Sequence, residues 1–257
     1  MDKIFDAHFH IIDPNYPLVS SNGFVPDFYT VTDYQKDLKE NGLTSMGGAV
    51  VSGSFQGHDQ GFLINALSQL GPSFVGVTQL PTDVSDSEIE SLNGYGVRAI
   101  RFPMYRDLTT SLAAIRQLAQ KVYSLFGWRA EFYVDLANID DQLEKLLFSL
   151  PKVSIDHLGM GKISSDALAK YAAAGIALRV SGFGRVAYKR DEIPQVISNL
   201  YHENPHSLIF GTDFPGTRTK HRFSSTDISL IKQALDNNQT SIDRVLYQNG
   251  AAWYLKK

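Results

Sequence analysis

The stretch IFDAHFHI, residues 4–11, reads as a strand in which Asp6, His8 and His10 leave on one face, because side chains alternate with a period of two. Two imidazoles two residues apart then stand side by side. Neutral imidazole is both a ligand and a base, so such a pair can hold a metal ion, polarise a carbonyl or move protons. It can equally be two histidines hydrogen-bonded inside a buried strand. Two further stretches favour chemistry: IDHLG at 155–159 and FGTDFP at 210–215 also put a polar residue at the end of an apolar run.

Outward from that stretch, apolar runs recur at 4–10, 45–51, 74–80, 97–102, 128–134, 153–157, 176–180 and 208–213. Helix punctuation lies between them. Ser85 with Glu88 forms a capping-box pattern, Gly71-Pro72 and Gly175 stop two helices, and Pro151 follows a third. Strict alternation of strand and helix implies βαβ units and a parallel sheet. Eight units in 257 residues, close to the about 250 typical of the fold, predict an α/β (β/α)8 TIM barrel in a single domain spanning 1–257. An open nucleotide-binding sheet would need a Gly-rich turn after the first strand, and HIIDP at 10–14 is not one.

Composition narrows the functional classes. Hydrophobic residues make up 43%, charged residues 20%, and the net charge of −3 provides no field for nucleic acid or an anionic membrane. The absence of cysteine removes disulfides, Cys-ligated zinc and a thiol nucleophile. No charged and apolar leader precedes the first strand, and no apolar run reaches the ~18 residues of a membrane helix, so a cytoplasmic protein is expected.

The Asp-x-His-x-His strand, the Ile-Asp-His-Leu-Gly strand and the Gly-Thr-Asp-Phe-Pro strand together resemble the amidohydrolase superfamily. The resemblance is closest to the amidohydrolase-related branch of 2-pyrone-4,6-dicarboxylate lactonase and sugar-acid lactonases. It extends from Asp6 to the terminal RVLYQNGAAWYL.

In a barrel of this kind the C-terminal strand ends converge on the active-site mouth. His8, His10 and His157 finish strands and can meet there, whereas His202 and His206 precede the last strand and belong to the floor. His58 reads as a surface or helix-start residue, and the position of His221, after the last strand, is left open. Asp213 follows the apolar run LIFGT, where a carboxylate is costly unless paired or used. The resemblance makes it the proton-transfer residue. Asp6 and Asp156 can orient the histidines by accepting the other imidazole N–H.

Arg101, Arg106, Arg179 and Arg185 lie in or after strands 4 and 7, and a guanidinium matches a carboxylate with a planar fork. The resemblance implies that arginines at these places contact substrate carboxylates. Ser52, Ser54 and Tyr133 are expected to add neutral hydrogen bonds. The long segment 13–32, carrying Tyr16, Phe24, Phe28 and Tyr29, is expected to cover the mouth, since a βα loop usually has about 2–6 residues.

Strand 5, WRAEFYV, lacks the histidine that the resemblance leads one to expect in zinc-dependent members, and strand 4 lacks the lysine of binuclear ones. Gly216 stands where close lactonase relatives often carry histidine. The expected activity is therefore the opening of a lactone on a small anionic substrate, with Asp213 activating water and His8, His10 or His157 polarising the carbonyl. Either no cofactor is needed or one divalent ion, zinc first, sits on His8, His10 and Asp213. The alternative is a mononuclear metal-dependent decarboxylase or amidohydrolase acting on a small acidic substrate; a barrel that binds without turnover is the third reading.

Overall fold

The computed structural model describes residues 1–20, 23–106 and 110–256. Eight parallel strands pair in sequence order: β1 (Asp2–Phe9), β2 (Leu43–Val51), β3 (Phe74–Thr78), β4 (Val97–Phe102), β5 (Arg129–Phe132), β6 (Val153–Ile155), β7 (Ala177–Val180) and β8 (Leu208–Phe210). Helices α1 (Val31–Glu40), α2 (Gly61–Leu70), α3 (Asp86–Gly94), α4 (Leu112–Phe126), α5 (Asp141–Ser149), α6 (Ser165–Ala173) and α7 (Ile193–Glu203) connect them. Helices α8 (Ser225–Ala234), α9 (Gln239–Asp243) and α10 (Asn249–Leu255) follow β8. This is the expected (β/α)8 barrel. Among the described residues no helix is long and apolar enough to cross a membrane.

The expected punctuation is in place. Ser85 caps α3 by accepting from the Glu88 N–H at 3.2 Å, and Gly71 and Gly175 end α2 and α6 with left-handed φ of 89° and 78°. Five strands stop short of their expected ends, β1 at Phe9, β3 at Thr78, β5 at Phe132, β6 at Ile155 and β8 at Phe210. Past the last two, His157 and Asp213 take left-handed φ of 50° and 59°, which rules out strand at those positions.

Two apolar layers hold the barrel. Ile4, Phe9, Val50, Ile100, Phe132 and Phe210 face outward against the helices, while Phe5, Ala7, Ala49, Val77, Ala99, Ala177 and Ile209 face the axis. The inner set is rich in alanine. The space this leaves is filled by buried polar side chains, Arg101, Glu131, Ser154, Asp156 and Arg179.

The seam between β8 and β1 is closed by the chain just past β8. The Asp213 N–H donates to His8 O at 2.7 Å and the His10 N–H donates to Phe214 O at 2.8 Å. Gly211 permits the approach, since a Cβ there would lie 2.7 Å from the His8 Cβ. Asp6 completes the seam. It accepts from the Thr212 N–H (2.8 Å) and Oγ1 (2.7 Å) and from Tyr34 Oη (3.1 Å). The expectation that Asp6 shares the face of His8 and His10 is thus corrected: register irregularities in β1 between Ile4 and Asp6 and between Asp6 and Phe9 break the alternation.

Burial lifts the Asp6 carboxyl to about 6, against the pull of its hydrogen bonds from Thr212, His8 and Tyr34. Thr212→Val keeps the side-chain shape and removes one of those donors from a fully buried oxygen. The expected loss is about 1–3 kcal/mol, read as a fall of several degrees in Tm. An unchanged melting curve would show that this bond does not hold the seam.

Candidate active site

A cleft opens at the C-terminal ends of the strands. Its lining includes His10, Ser54, Phe55, Arg101, Arg106, Tyr133, His157, Arg185, Asp213 and Arg218. Each comes from the end of a strand or the loop that follows it, as the barrel requires. His157 opens a 3-10 turn after β6, and its left-handed backbone, like that of Asp213, is strained conformation concentrated at one place.

Asp213 Oδ1 is the centre of the constellation. It lies 3.6 Å from His8 Nε2, 3.8 Å from His10 Nε2 and 3.9 Å from His157 Nε2. The rings are close-packed, with centroids 5.2 Å apart for His8 and His10 and 4.8 Å for His8 and His157. The other ring nitrogens reach acceptors or a hydroxyl. His10 Nδ1 is 2.7 Å from Val51 O, His8 Nδ1 is 3.3 Å from Asp156 Oδ1, and His157 Nδ1 is 2.9 Å from Ser181 Oγ.

These contacts assign protons. A carbonyl oxygen can only accept, so Nδ1 of His10 carries the hydrogen and its Nε2 presents a lone pair. Burial would raise the Asp156 carboxyl, but His8 and the Arg101 guanidinium outweigh it and hold the group well below the usual carboxylate range. Asp156 is therefore ionised, with Oδ1 facing Nδ1 of His8. Burial pushes His10 far down, helped by His8 and Arg101; burial also lowers His157, helped by Arg185. Both rings are neutral near pH 7.

The His10 Nε2 lone pair, His8 Nε2 and an Asp213 carboxylate oxygen thus face one point. Among the described residues His8 Nε2 and Asp213 Oδ1 have no hydrogen-bond partner. His8, His10 and Asp213 bring one ligand atom each to within 4.8 Å of one another, and His8, Asp156 and His157 form a second such group. Three N/O donors with an open fourth direction suit a divalent cation, zinc included. A water molecule donating two hydrogens suits the same point.

The arginines separate into distinct situations. Arg101 is bound to Asp156 through Nε (3.1 Å) and Nη2 (2.8 Å). Arg185 Nη2 lies 2.6 Å from Asp213 Oδ2. Arg106 rests over the Tyr105 and Tyr133 rings, 5.0 and 5.8 Å from their centroids, with Nη2 3.4 Å from Tyr133 Oη. Arg179 does not reach the cleft. Its guanidinium is buried inside the barrel against Glu131 (2.6 Å), Ser154 Oγ (3.1 Å), Tyr254 Oη (3.0 Å) and Ala7 O (2.9 Å), a correction to its expected place at the substrate. The cause is depth: Arg179 pairs in register with Ile209, inside β7 and below its end.

Ser54 and Tyr133 line the cleft as expected; Ser52 does not. The Ser52 hydroxyl accepts from Gln79 Nε2 at 3.1 Å, and its carbonyl accepts from Arg101 Nη1 at 3.3 Å, so it buttresses the wall from behind. His202 is held by its own helix, with Nδ1 2.7 Å from Ser198 O, and His206 is exposed ahead of β8. His58 and His221 are not among the residues lining this cleft.

The long loop is pinned at its base by the pair Ile12 and Tyr29, whose two N–H···O bonds are 2.6 and 2.8 Å. Thr30 and Asp33 then form a full capping box that starts α1. Residues 21 and 22 of this loop lie outside the described residues. Of the four aromatics expected over the mouth, Phe24 is at the rim, where its ring lies 4.3 Å from the Arg218 guanidinium carbon. Tyr29 is buried and donates to Asp37, Tyr16 packs toward Gly61 of α2, and Phe28 is exposed. Arg218 itself is a cleft residue that the sequence reading passed over; the basic run TRTKHR at 217–222 was the available signal.

Eight parallel strands, a His-x-His at the end of the first, a His after the sixth and an Asp after the eighth bring three imidazoles and a carboxylate together at one mouth of a (β/α)8 barrel. The chain is 23% identical over 247 residues to the 2-pyrone-4,6-dicarbaxylate hydrolase of Comamonas testosteroni, covering 84% of this chain and 77% of that one. In structure it is similar to a probable 2-pyrone-4,6-dicarboxylic acid hydrolase of Acinetobacter baumannii crystallised with citric acid bound. That match has a TM-score of 0.81 at 22% identity and covers 98% of both chains. It is also similar to amidohydrolase 2 from Bifidobacterium longum subsp. infantis, with a TM-score of 0.63, 20% identity and 98% of both chains covered. No protein-family model matches the chain.

Proposed function

We propose that this chain is a hydrolase that opens a lactone ring on a small carboxylate-bearing substrate, with Asp213 as the base that activates water. The observation that carries this reading is the position of Asp213 Oδ1, within 3.6–3.9 Å of three imidazole nitrogens in a cleft lined by four arginines. The relatives named as dicarboxylate hydrolases support it.

A water at the point shared by His8, His10 and Asp213 gives one proton to Asp213 while its oxygen bonds to the lactone carbonyl carbon. The ring C–O bond then breaks, and Asp213 returns the proton to the departing alkoxide. His10, with its hydrogen on Nδ1, accepts toward the cleft through Nε2 and so orients the water. His157 differs, because the Ser181 hydroxyl can donate to its Nδ1 and leave an Nε2–H for the carbonyl oxygen. A divalent ion held by His8, His10 and Asp213 would add Lewis acidity toward that carbonyl. The same acceptor set favours a second reading, a mononuclear metal-dependent decarboxylase or amide hydrolase of an acidic substrate.

A panel of lactones with and without a carboxylate, assayed after chelation and after zinc loading, tests the proposal. Turnover of carboxylate-bearing lactones is expected. Turnover confined to acidic amides or β-keto acids in the zinc-loaded protein would replace the first reading by the second. Arg106 is the arginine whose removal tests the anion clamp, because it holds neither Asp156 nor Asp213. Arg106→Ala is expected to raise KM about tenfold or more, the equivalent of a charge-assisted hydrogen bond of about 1.5–3 kcal/mol, with kcat unchanged. An equal effect on neutral lactones would remove the clamp.

A further inference from the structure

We infer that Ser181 is a positioning residue: it donates its hydroxyl hydrogen to His157 Nδ1, keeps the hydrogen of that ring on Nε2, and so fixes His157 as a hydrogen-bond donor to the reacting carbonyl. The role toward the carbonyl rests on the proposed hydrolase reading of the cleft. Ser181 follows β7 and is 3% exposed, with Oγ 2.9 Å from His157 Nδ1. A buried hydroxyl must place its one hydrogen on an acceptor. Among the described residues His157 Nδ1 is the one partner within hydrogen-bond distance of that oxygen. Nδ1 therefore presents a lone pair, and the neutral ring carries its hydrogen on Nε2. The opposite edge of the ring agrees. Nε2 faces Asp213 Oδ1, which only accepts, and at 3.9 Å the carboxylate leaves the Nε2–H available to a third group in the cleft.

The chain is shaped to bring Ser181 to that ring. Gly182, with φ of 61°, turns against it: a Cβ there would lie 2.5 Å from His157 Nδ1. Gly184 is likewise required, because a Cβ there would overlap His221 O in the loop after β8. The Arg185 N–H closes the turn on Gly182 O at 2.8 Å, and Arg185 Nη2 reaches Asp213 Oδ2 at 2.6 Å and Thr217 O at 2.9 Å. Five residues, SGFGR at 181–185, are thus anchored on His157 at one end and on Asp213 at the other. The His157 ring is 1% exposed and stands edge-on to the His8 and Tyr133 rings, at centroid distances of 4.8 and 5.6 Å, which holds its orientation.

One loop therefore sets both the donor and the base. In the proposed reaction Asp213 takes a proton from water while negative charge grows on the carbonyl oxygen, and a fixed Nε2–H meets that charge without reorganising. A ring free to carry its hydrogen on Nδ1 would instead turn a lone pair to the same oxygen and repel it.

Long-range proton–nitrogen correlation spectra of the protein with isotope-labelled histidine test this without a known substrate, the His157 signals being assigned by their loss in His157→Gln. The wild type is expected to show His157 Nδ1 in the lone-pair range, displaced by an accepted hydrogen bond, and Nε2 in the N–H range. Ser181→Ala is expected to move Nδ1 toward the value of an unbonded lone pair, and Ser181→Thr, which keeps the hydroxyl, to return it. On a carboxylate-bearing lactone that the wild type turns over, Ser181→Ala is expected to lower kcat about tenfold or more with KM within about twofold. A protonated Nδ1 in the wild type would mean that the Ser181 hydrogen points into the small cavity it lines with Thr219, and it overturns the inference while leaving Asp213 as the base. An Nδ1 resonance unmoved in Ser181→Ala does the same. A wild type that turns over no lactone overturns the hydrolase reading, while the spectrum still decides which nitrogen Ser181 leaves protonated.

Discussion

Asp213→Asn is expected to lower kcat by about 10²–10⁴ while leaving affinity for a carboxylate ligand unchanged or improved. The substitution keeps the size of the side chain and one oxygen, but it removes the group able to take a proton from water. It also removes the negative charge that faces Arg185 at 2.6 Å, so the guanidinium becomes available to an anionic ligand. The predicted signature is a loss in kcat with KM constant or lower. That signature excludes a general collapse of the cleft, which would raise KM. Arg185→Ala cannot serve as the matching binding variant, because it changes the surroundings of Asp213 along with the clamp; Arg106→Ala serves instead. Full turnover of the Asn variant on a verified substrate would remove Asp213 from the chemistry.

The parts of the fold legible in the sequence were those set by periodicity and by chain position. Parallel strands covered on both faces read as nearly continuous apolar runs, and β2, β4 and β7 lie where such runs stand at 45–51, 97–102 and 176–180. The convergence of His8, His10, His157 and Asp213 was legible for a related reason, since each closes a run and the ends of parallel strands meet at one mouth. What could not be read were properties of register and backbone. Asp6 shares a parity with His8 in sequence, but irregular pairing in β1 turns it to Thr212 and Tyr34. Arg218 lies in an irregular loop, and its direction depends on a left-handed φ that no pattern announces. Ser52 points to Gln79 because the neighbouring strand supplies a buried amide, which spacing along one strand cannot reveal.

Arg179 is the instance where depth in the barrel decides the role, and it carries the second large expected effect. Burial works against its charge, but Glu131, Tyr254 and Asp156 together more than offset it. Glu131 is itself hydrogen-bonded by the Tyr254 hydroxyl, and Arg179 Nε approaches Asp156 Oδ1 at 3.5 Å. The chain of contacts thus runs from α10 on the floor, through Glu131 and Arg179, to the carboxylate beside His8. Arg179→Met keeps much of the apolar stem and leaves Glu131 as an uncompensated buried charge. The expected cost is about 3–5 kcal/mol, a fall in Tm on the order of 10 °C. The double variant Arg179→Met with Glu131→Gln is expected to recover part of that loss, since the stranded charge is then gone. Affinity for a carboxylate ligand, measured well below the melting transition, is expected to stay within about twofold of wild type. The opposite pattern, weakened ligand binding at unchanged Tm, would return Arg179 to the substrate clamp and require the barrel interior to open as far as β7.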